Sequence, residues 1–372
     1  MGTFDKAVEQ INRGRDGNNK GIPIPFERLR GYLPDIQQKT YYLLGAATKA
    51  GKTSLADDIF FYGAYDYVIN NPDSGITLDI DYFSYEIDSE TKIIKGIARK
   101  LWHDYGIVAD VNSILSRGKN HCNDELYELV LSYRDYFEKM QDCVTIHDMA
   151  DNPTGMYKYL RDKAEKMGTI HKKNINKDPD GTPIMRFDSY TPHDPNKYWI
   201  IIIDHIALMV DEKGSTTKQN IDKMSKYLVS LRNNFRAIPV VIQQLSFSAE
   251  SEERQTKNRL TPTLKDFGDS KYTTRDANVI MALFSPYKHK LDRFQNYNVG
   301  IMGNSFRNFE ILENRDGEPG INVGLNFIAP SGTFRELPPA AEMGEAHYDY
   351  AKSYKNNRAK YRKQNGVWVE KI

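Results

Sequence analysis

The chain has 372 residues, 40% of them apolar and 27% charged, which excludes a peptide or disulfide miniprotein and gives enough length for a well-buried core in one large domain or two ordinary ones. Its 51 basic and 50 acidic residues leave a formal charge of +1, so binding of a polyanion has to be local rather than a property of the whole surface. Two cysteines, Cys122 and Cys143, cannot frame a protein of this size and have no CxxC partner; they read as reduced thiols. The start, Met1 to Lys6, has neither the apolar run of a signal peptide nor a myristoylation pattern. The longest apolar stretch, around Trp199 to Ile203, is far below the roughly 20 residues of a membrane span. The expected location is the cytoplasm, with no membrane partner.

In chain order, residues 4–14 place Phe4, Ala7, Val8 and Ile11 at helical spacing, followed by the flexible RGRDGNNKG. A lone helix of this length is marginal in water, so it should dock on its own domain or on a neighbouring copy. From Thr40 strand-like and helix-like segments alternate. Tyr41 to Leu44 precedes GAATKAGKTS and a helical SLADDIFFYGAYDYVI; ITLDIDYFSY precedes a helical SETKIIKGIARKLW. Val144 to Ile146 precedes PTGMYKYLRDKAEKM, and Trp199 to Ile203 and Ile238 to Ile242 are two further apolar strands. This order predicts an α/β fold, a mostly parallel sheet flanked by helices on both faces. Residues 169–198, rich in Pro, Gly and Asp, read as an inserted surface hairpin or long loop. The last 35 or so residues, with Lys352, Lys355, Arg358, Lys360, Arg362 and Lys363, read as a solvent-exposed polar, basic tail.

The strongest chemical signal is Ala46-Ala47-Thr48-Lys49-Ala50-Gly51-Lys52-Thr53, an [A/G]xxxxGK[ST] phosphate loop that follows an apolar strand and opens a helix; these eight residues and Ser54 are the expected nucleotide-binding set. Small residues let backbone N–H groups approach phosphate oxygens, the helix N-terminus adds partial positive charge, Lys52 reaches the β and γ phosphates, and the Thr53 hydroxyl ligates Mg²⁺. ATP and Mg²⁺ are therefore the expected cofactors. Asp204 ends the IIIID strand, where ligands of parallel sheets sit; alone it would serve equally as a helix cap, but paired with the loop it is the expected Mg²⁺ acid. His205 follows it, so the base has to come from elsewhere. Glu86, after the ITLDIDYFSY strand, is either that base or a first-turn acid favoured by the helix dipole. Gln243 and Gln244 end another buried strand, and Arg315 lies in a Gly-punctuated turn.

The order of these pieces resembles the RecA-type motor domain of the DnaB-family replicative helicases over about residues 21–335. The matching segments are GIPIPFERLRGYLPD, AATKAGKTSLA, FSYEI, VTIHDMADNPTGMYKYLRDKA, IIIIDHIALM, IPVVIQQLS, LKDFGDSKYTTRDANVIMALF and ENRDGEPGINVGLNF. The resemblance implies a RecA-like ATPase core at 21–335, a linker helix and tether at 1–20, and a tail at 336–372. It implies that Lys52 and Thr53 hold phosphates and Mg²⁺, Glu86 activates water, Asp204 supports the metal, Gln244 senses the γ-phosphate, and Arg315 acts in trans on the neighbouring subunit. Single-stranded DNA would be gripped by Lys265, Asp266 and Gly268, with Lys218, Arg254, Lys257 and Arg259 in flanking loops. Homo-oligomerisation, as a hexamer, follows from the same resemblance, in a bacterial or phage-infected host; contact with a primase or helicase loader is left open by it. Three departures stand out: Glu313 occupies a position that is usually basic, His205 stands where an aromatic often follows the acid, and the separate N-terminal domain is expected to be absent, which suggests a minimal, phage-like or mobile-element helicase. Rival readings are a RecA-fold DNA-dependent ATPase of recombinase or branch-migration type, and a nucleotide-gated assembly protein.

Overall fold

The computed structural model describes residues 2–246, 254, 260–268, 271–353, 361–364 and 367–370. The strands of the main sheet, in chain order, are β1 (Tyr42–Ala46), β2 (Thr77–Ser84), β3 (Val144–His147), β4 (Lys197–Asp204) and β5 (Ile238–Gln244). Four more follow, β6 (Val279–Phe284), β7 (Phe306–Asn314), β8 (Ile321–Ile328) and β9 (Thr333–Glu336). They lie side by side as β9-β8-β7-β6-β1-β5-β4-β2-β3. The six from β6 to β3 are mutually parallel, as the alternating strand and helix patterns require. The last three add antiparallel to β6.

β4 shows why the sheet is covered on both faces. Ile200 and Ile202 enter one apolar cluster, while Trp199, Ile201 and Ile203 enter another across the sheet. A strand with period-two side chains and no polar face before Asp204 has to be buried twice. On the first face lie α2, which starts at Lys52–Ala56, passes through a π turn at Asp57–Phe61 and continues over Tyr62–Asn70, and α3 (Ser89–Tyr105). Phe60 and Phe61 from the former and Ile97 and Leu101 from the latter fill that core. On the second face α4 (Pro153–Met167) contributes Met156 and Leu160, and α5 (Thr217–Phe235) contributes Met224, Leu228 and Leu231.

The helices α2 and α3 approach closely at Gly96. A Cβ there would stand 2.6 Å from the Tyr62 hydroxyl oxygen, which donates to the Lys92 carbonyl at 2.6 Å. Gly96→Ala is expected to destabilise the protein by about 1–3 kcal/mol through overpacking, read as a lower melting temperature of the variant.

The 169–198 segment is a hairpin of two long strands, Gly168–Lys177 and Pro183–Pro192, whose side chains are mostly exposed on both faces. The N-terminal helix, Thr3–Arg15, meets the domain near its C-terminal end, where Arg13 Nη2 donates to Asn196 Oδ1 at 2.9 Å, while Phe4 and Ile11 remain 78% and 61% exposed. The reading of 336–372 as a solvent-exposed tail needs correction for its first part. Residues Glu345–Ser353 form a helix that buries Ala351 against a small cluster with Tyr297, Val299 and Met302. The Tyr348 hydroxyl also accepts the Asn298 N–H at 3.1 Å. Apolar residues spaced among the charges dock this stretch, a pattern that net composition conceals. Of the basic run, Lys355, Arg358 and Lys360 lie outside the described residues. No helix among the described residues is long and apolar enough to cross a membrane.

Candidate nucleotide site

The parallel register aligns the chemistry at one edge of the sheet. Ala46 lies opposite Gln244, and Ser84 lies opposite Asp204. All these are carboxyl ends of strands, and the chain leaves β1 at the point where neighbouring connections diverge to opposite sides, the location at which α/β sheets bind ligands. The loop from Ala47 to Gly51 crosses this edge and delivers Lys52, Thr53 and Ser54 to the first turn of α2. Its curvature depends on Gly51, whose φ of +103° an L side chain resists; an added Cβ would also press on the Phe327 and Phe334 rings at 3.1–3.3 Å.

Three side chains from remote strands and turns brace the loop. Gln244 Nε2 donates to Thr48 Oγ1 at 2.8 Å, and Arg307 Nε donates to the Ala50 carbonyl at 2.6 Å. Lys288 Nζ donates to the Thr48 carbonyl. Arg307 is almost wholly buried, with its guanidinium 5.1 Å from the Phe327 ring centroid. Neither Arg307 nor Lys288 was legible in the sequence, because a single basic residue in a strand or a turn carries no local pattern.

Lys52 Nζ stands 3.1 Å from Glu86 Oε2 and 3.9 Å from Asp204 Oδ1. The structure thus brings together the three residues singled out for phosphate, base and metal. Partial burial pushes the Glu86 carboxyl up, but the charge and hydrogen bond of Lys52 outweigh it, aided by His205 and Lys95, and hold it below its usual value. Glu86 is therefore an ionised, half-exposed carboxylate at neutral pH. His205 is lowered by burial first and by Lys52 second, which keeps the imidazole neutral beside the ammonium.

Asp204 is buried, and its Oδ2 accepts from the Tyr82 hydroxyl at 3.4 Å. Its Oδ1 has no hydrogen-bond partner among the described residues. An ionisable oxygen left without a donor in a buried site suits a hard cation, and Mg²⁺ is commonly held by one or two protein oxygens together with substrate phosphates. The donor set of Thr53 and Asp204 fits that chemistry.

The two glutamines at the end of β5 have different partners. Gln244 turns to the phosphate loop, whereas buried Gln243 donates to the Phe267 carbonyl and accepts from Thr273 Oγ1 at 2.9 Å. One strand end is therefore hydrogen-bonded both to the nucleotide loop and to the 260–273 region expected to contact DNA. In that region Lys265 is exposed on a short 3₁₀ turn, Leu264–Phe267, closed by Gly268 at a φ of +64°.

Asp266, grouped with Lys265 as a DNA contact, is better described as the internal cap of that turn. Its carboxylate accepts from Thr263 N at 2.7 Å and Thr263 Oγ1 at 2.9 Å and pairs with Arg254, while its own N–H goes to the Thr263 carbonyl. Arg254 is drawn into the same arrangement. Lys218 is exposed but sits in the first turn of α5, not in a loop. Lys257 and Arg259 lie outside the described residues.

Arg315 lies at the other end of the sheet. Asn314 pairs with Val279, which pairs with Tyr42, and Arg315 N donates to the Asn278 carbonyl. From Tyr42 to Ala46 is roughly 13 Å of strand at about 3.3 Å per residue. Arg315 is thus not gathered with Lys52, Glu86 and Asp204 in its own chain.

Residues 184–336 match the family model described as DnaB-like helicase C terminal domain. That span holds Asp204, Gln244, the 260–273 region and Arg315. No curated protein matches the chain. Among solved structures it is similar to a chain described as an ATPase domain, with a TM-score of 0.62 at 17% identity, covering 91% of this chain and 100% of that one. It is also similar to the chain described in "The Structure Of A DnaB-Like Replicative Helicase And Its Interactions With Primase", with a TM-score of 0.63 at 18% identity, covering 90% of this chain and 68% of that one. At these identities the likeness is one of fold. The chain is thus similar to the DnaB-like helicase C terminal domain over residues 184–336, and it shares with these solved structures the mostly parallel sheet that carries its phosphate loop.

Proposed function

We propose that the chain is an ATP-driven replicative DNA helicase that assembles as a ring, moves along single-stranded DNA and separates the duplex ahead of it. The observation that carries this reading is the meeting of Lys52 with Glu86 and Asp204 at a sheet edge whose neighbouring glutamine reaches the 260–273 region.

In this reading Thr53 and Asp204 would hold Mg²⁺, which would supply positive charge against the phosphates. Lys52 turns from Glu86 to the β and γ phosphates as they enter the loop. Released from that pairing, Glu86 orients the attacking water and accepts its proton. Gln244 senses the γ-phosphate, and Gln243 passes a shift of the strand end to the turn that holds Lys265. Arg315 serves a neighbouring copy, where it stabilises charge on the phosphoryl group being transferred. A ring suits the geometry, since the phosphate loop and Arg315 occupy opposite ends of the sheet and a head-to-tail contact forms a ring where its rotation closes; six copies follow from the family resemblance alone. Contact with a primase is part of the proposal, supported by the fold shared with a helicase described with its primase.

ATP turnover measured with and without single-stranded DNA, beside unwinding of a forked duplex, tests the proposal. Stimulated turnover with strand separation is expected. A duplex left intact despite DNA-stimulated turnover would favour a recombinase-type ATPase, and negligible turnover would favour an assembly protein. Lys265→Ala is expected to reduce the slope of log affinity for single-stranded DNA against log salt by about 0.7, the loss of one phosphate contact.

A further inference from the structure

Beneath the phosphate loop lies a buried polar network to which the reaction above gives no role. Lys92, on α3, is 0% exposed. Its ammonium lies 2.9 Å from Asp57 Oδ1 and 3.0 Å from Oδ2 and donates to the Tyr82 hydroxyl oxygen at 2.6 Å. The Tyr82 O–H in turn donates to Asp204 Oδ2.

Each end of this chain of contacts belongs to an element that carries a site residue. Asp57 opens the π turn one helical turn below Thr53. Lys92 stands in the first turns of the helix that follows Glu86 and is capped by Asp88, whose side chain accepts from Thr91 N at 2.7 Å. Tyr82 lies on β2, opposite Ile202 of the strand that ends in Asp204. One ammonium therefore contacts the Thr53 helix directly, the Asp204 carboxylate through one hydroxyl, and the Glu86 segment through its own backbone.

Packing alone does not call for such a group. Apolar side chains of similar volume hold two helices together at least as well as a buried ion pair, whose desolvation offsets its attraction. A π turn inside a helix is likewise uncommon and concentrates at functional sites. What the ion pair adds is direction. Asp204 has one oxygen tied back by Tyr82 and the other without a hydrogen-bond donor among the described residues, 3.9 Å from Lys52 Nζ.

We infer that Lys92 is a positioning residue of the nucleotide site: through Tyr82 it orients the Asp204 carboxylate, and through Asp57 it fixes the helix turn that bears Thr53, so that the two metal-facing oxygens keep their separation. The inference rests on the nucleotide-site reading above and assigns the network a part in Mg²⁺ affinity.

The test uses the full chain and a fluorescent ADP analogue titrated with Mg²⁺. Tyr82→Phe removes the hydroxyl while leaving the Lys92–Asp57 pair in place. A second variant, Lys92→Met with Asp57→Leu, removes both charges together and so leaves no buried ion unpaired. Both are expected to raise the Mg²⁺ concentration for half-maximal nucleotide binding by about 10–100-fold, the usual effect of losing a group that orients a metal ligand. Analogue binding in EDTA and the melting temperature of the Tyr82→Phe protein are expected to stay at wild-type values. A wild-type Mg²⁺ midpoint in both variants, or a lowered melting temperature with no change of midpoint, would overturn the inference. Wild-type protein that binds the analogue with no dependence on Mg²⁺ would overturn the nucleotide-site reading itself, and this inference with it.

Discussion

Glu86→Gln is expected to lower kcat by about 10²–10⁴-fold, the range for loss of a general base, while ATP still binds. The amide keeps the shape of the side chain and can still hydrogen-bond, but it cannot take a proton from water. The position is suited to the role because the carboxylate is half-exposed, ionised and in contact with Lys52, the cation that phosphates attract. The same contact gives the reaction a pH signature. In the free protein Lys52 holds the Glu86 carboxyl below its usual value, so kcat/KM is expected to stay high until the pH falls through that lowered pKa. Once phosphates hold Lys52, the lowering is lost and their negative charge raises the carboxyl further. The acid limb of kcat is therefore expected at higher pH than that of kcat/KM. Coincident limbs in the two profiles would argue against Glu86 as the base. Stability follows the same sign: a carboxyl lowered by folding contributes above its unfolded pKa and loses that contribution as pH falls through the folded one, although half-exposure keeps the effect small.

Arg315→Ala is expected to reduce turnover by about 10³–10⁵-fold while assembly and nucleotide binding persist, as for an arginine supplied in trans to a phosphoryl group. Arg315 begins the turn after β7, its backbone N–H is tied to Asn278, and its guanidinium donates to the Arg275 carbonyl, at the end of the sheet remote from Lys52. Its charge also helps to lower nearby Arg232, after the larger effect of that residue's burial. Such a position serves another molecule's site better than its own. Arg315→Lys is expected to recover only part of the loss, because an ammonium keeps the charge but not the planar fork that meets two oxygens at once. Steady-state turnover beside a mass measurement of the assembly separates loss of chemistry from loss of the ring.

The parallel half of the sheet was legible because its strands are continuous apolar runs that end in polar or glycine-rich segments, as Tyr42–Ala46 and Lys197–Asp204 do. The antiparallel extension was not, since β7 buries Arg307 and Asn308 beside Phe306 and Phe309, so its hydrophobic period is broken by polar residues that are inside. The site was legible where a residue ends a strand or opens a helix, as Lys52, Asp204 and Gln244 do; Glu86 lies instead in the bend between Ser84, which ends β2, and Ser89, which opens α3, so it is not a first-turn acid of that helix. Lys92 and Asp57 were missed for the opposite reason. Both lie within helices whose charged residues read as solvent-facing, and only the crossing of α2 over α3 shows that they face each other in the core. The separate duties of Gln243 and Gln244 depend on the alternation of side chains along β5, which sequence alone did not align with its neighbours.

The central claim is that the triphosphate is cleaved where two copies meet, with Lys52 and Glu86 from one and Arg315 from the next. The direct measurement is ATP turnover of co-assembled Lys52→Ala and Arg315→Ala proteins, each inactive alone. In an equimolar random ring about one interface in four joins an intact loop to an intact arginine, so turnover is predicted to reappear on mixing. Mixed rings that remain as inactive as either parent, or an Arg315→Ala protein that turns over ATP at the wild-type rate, would contradict it.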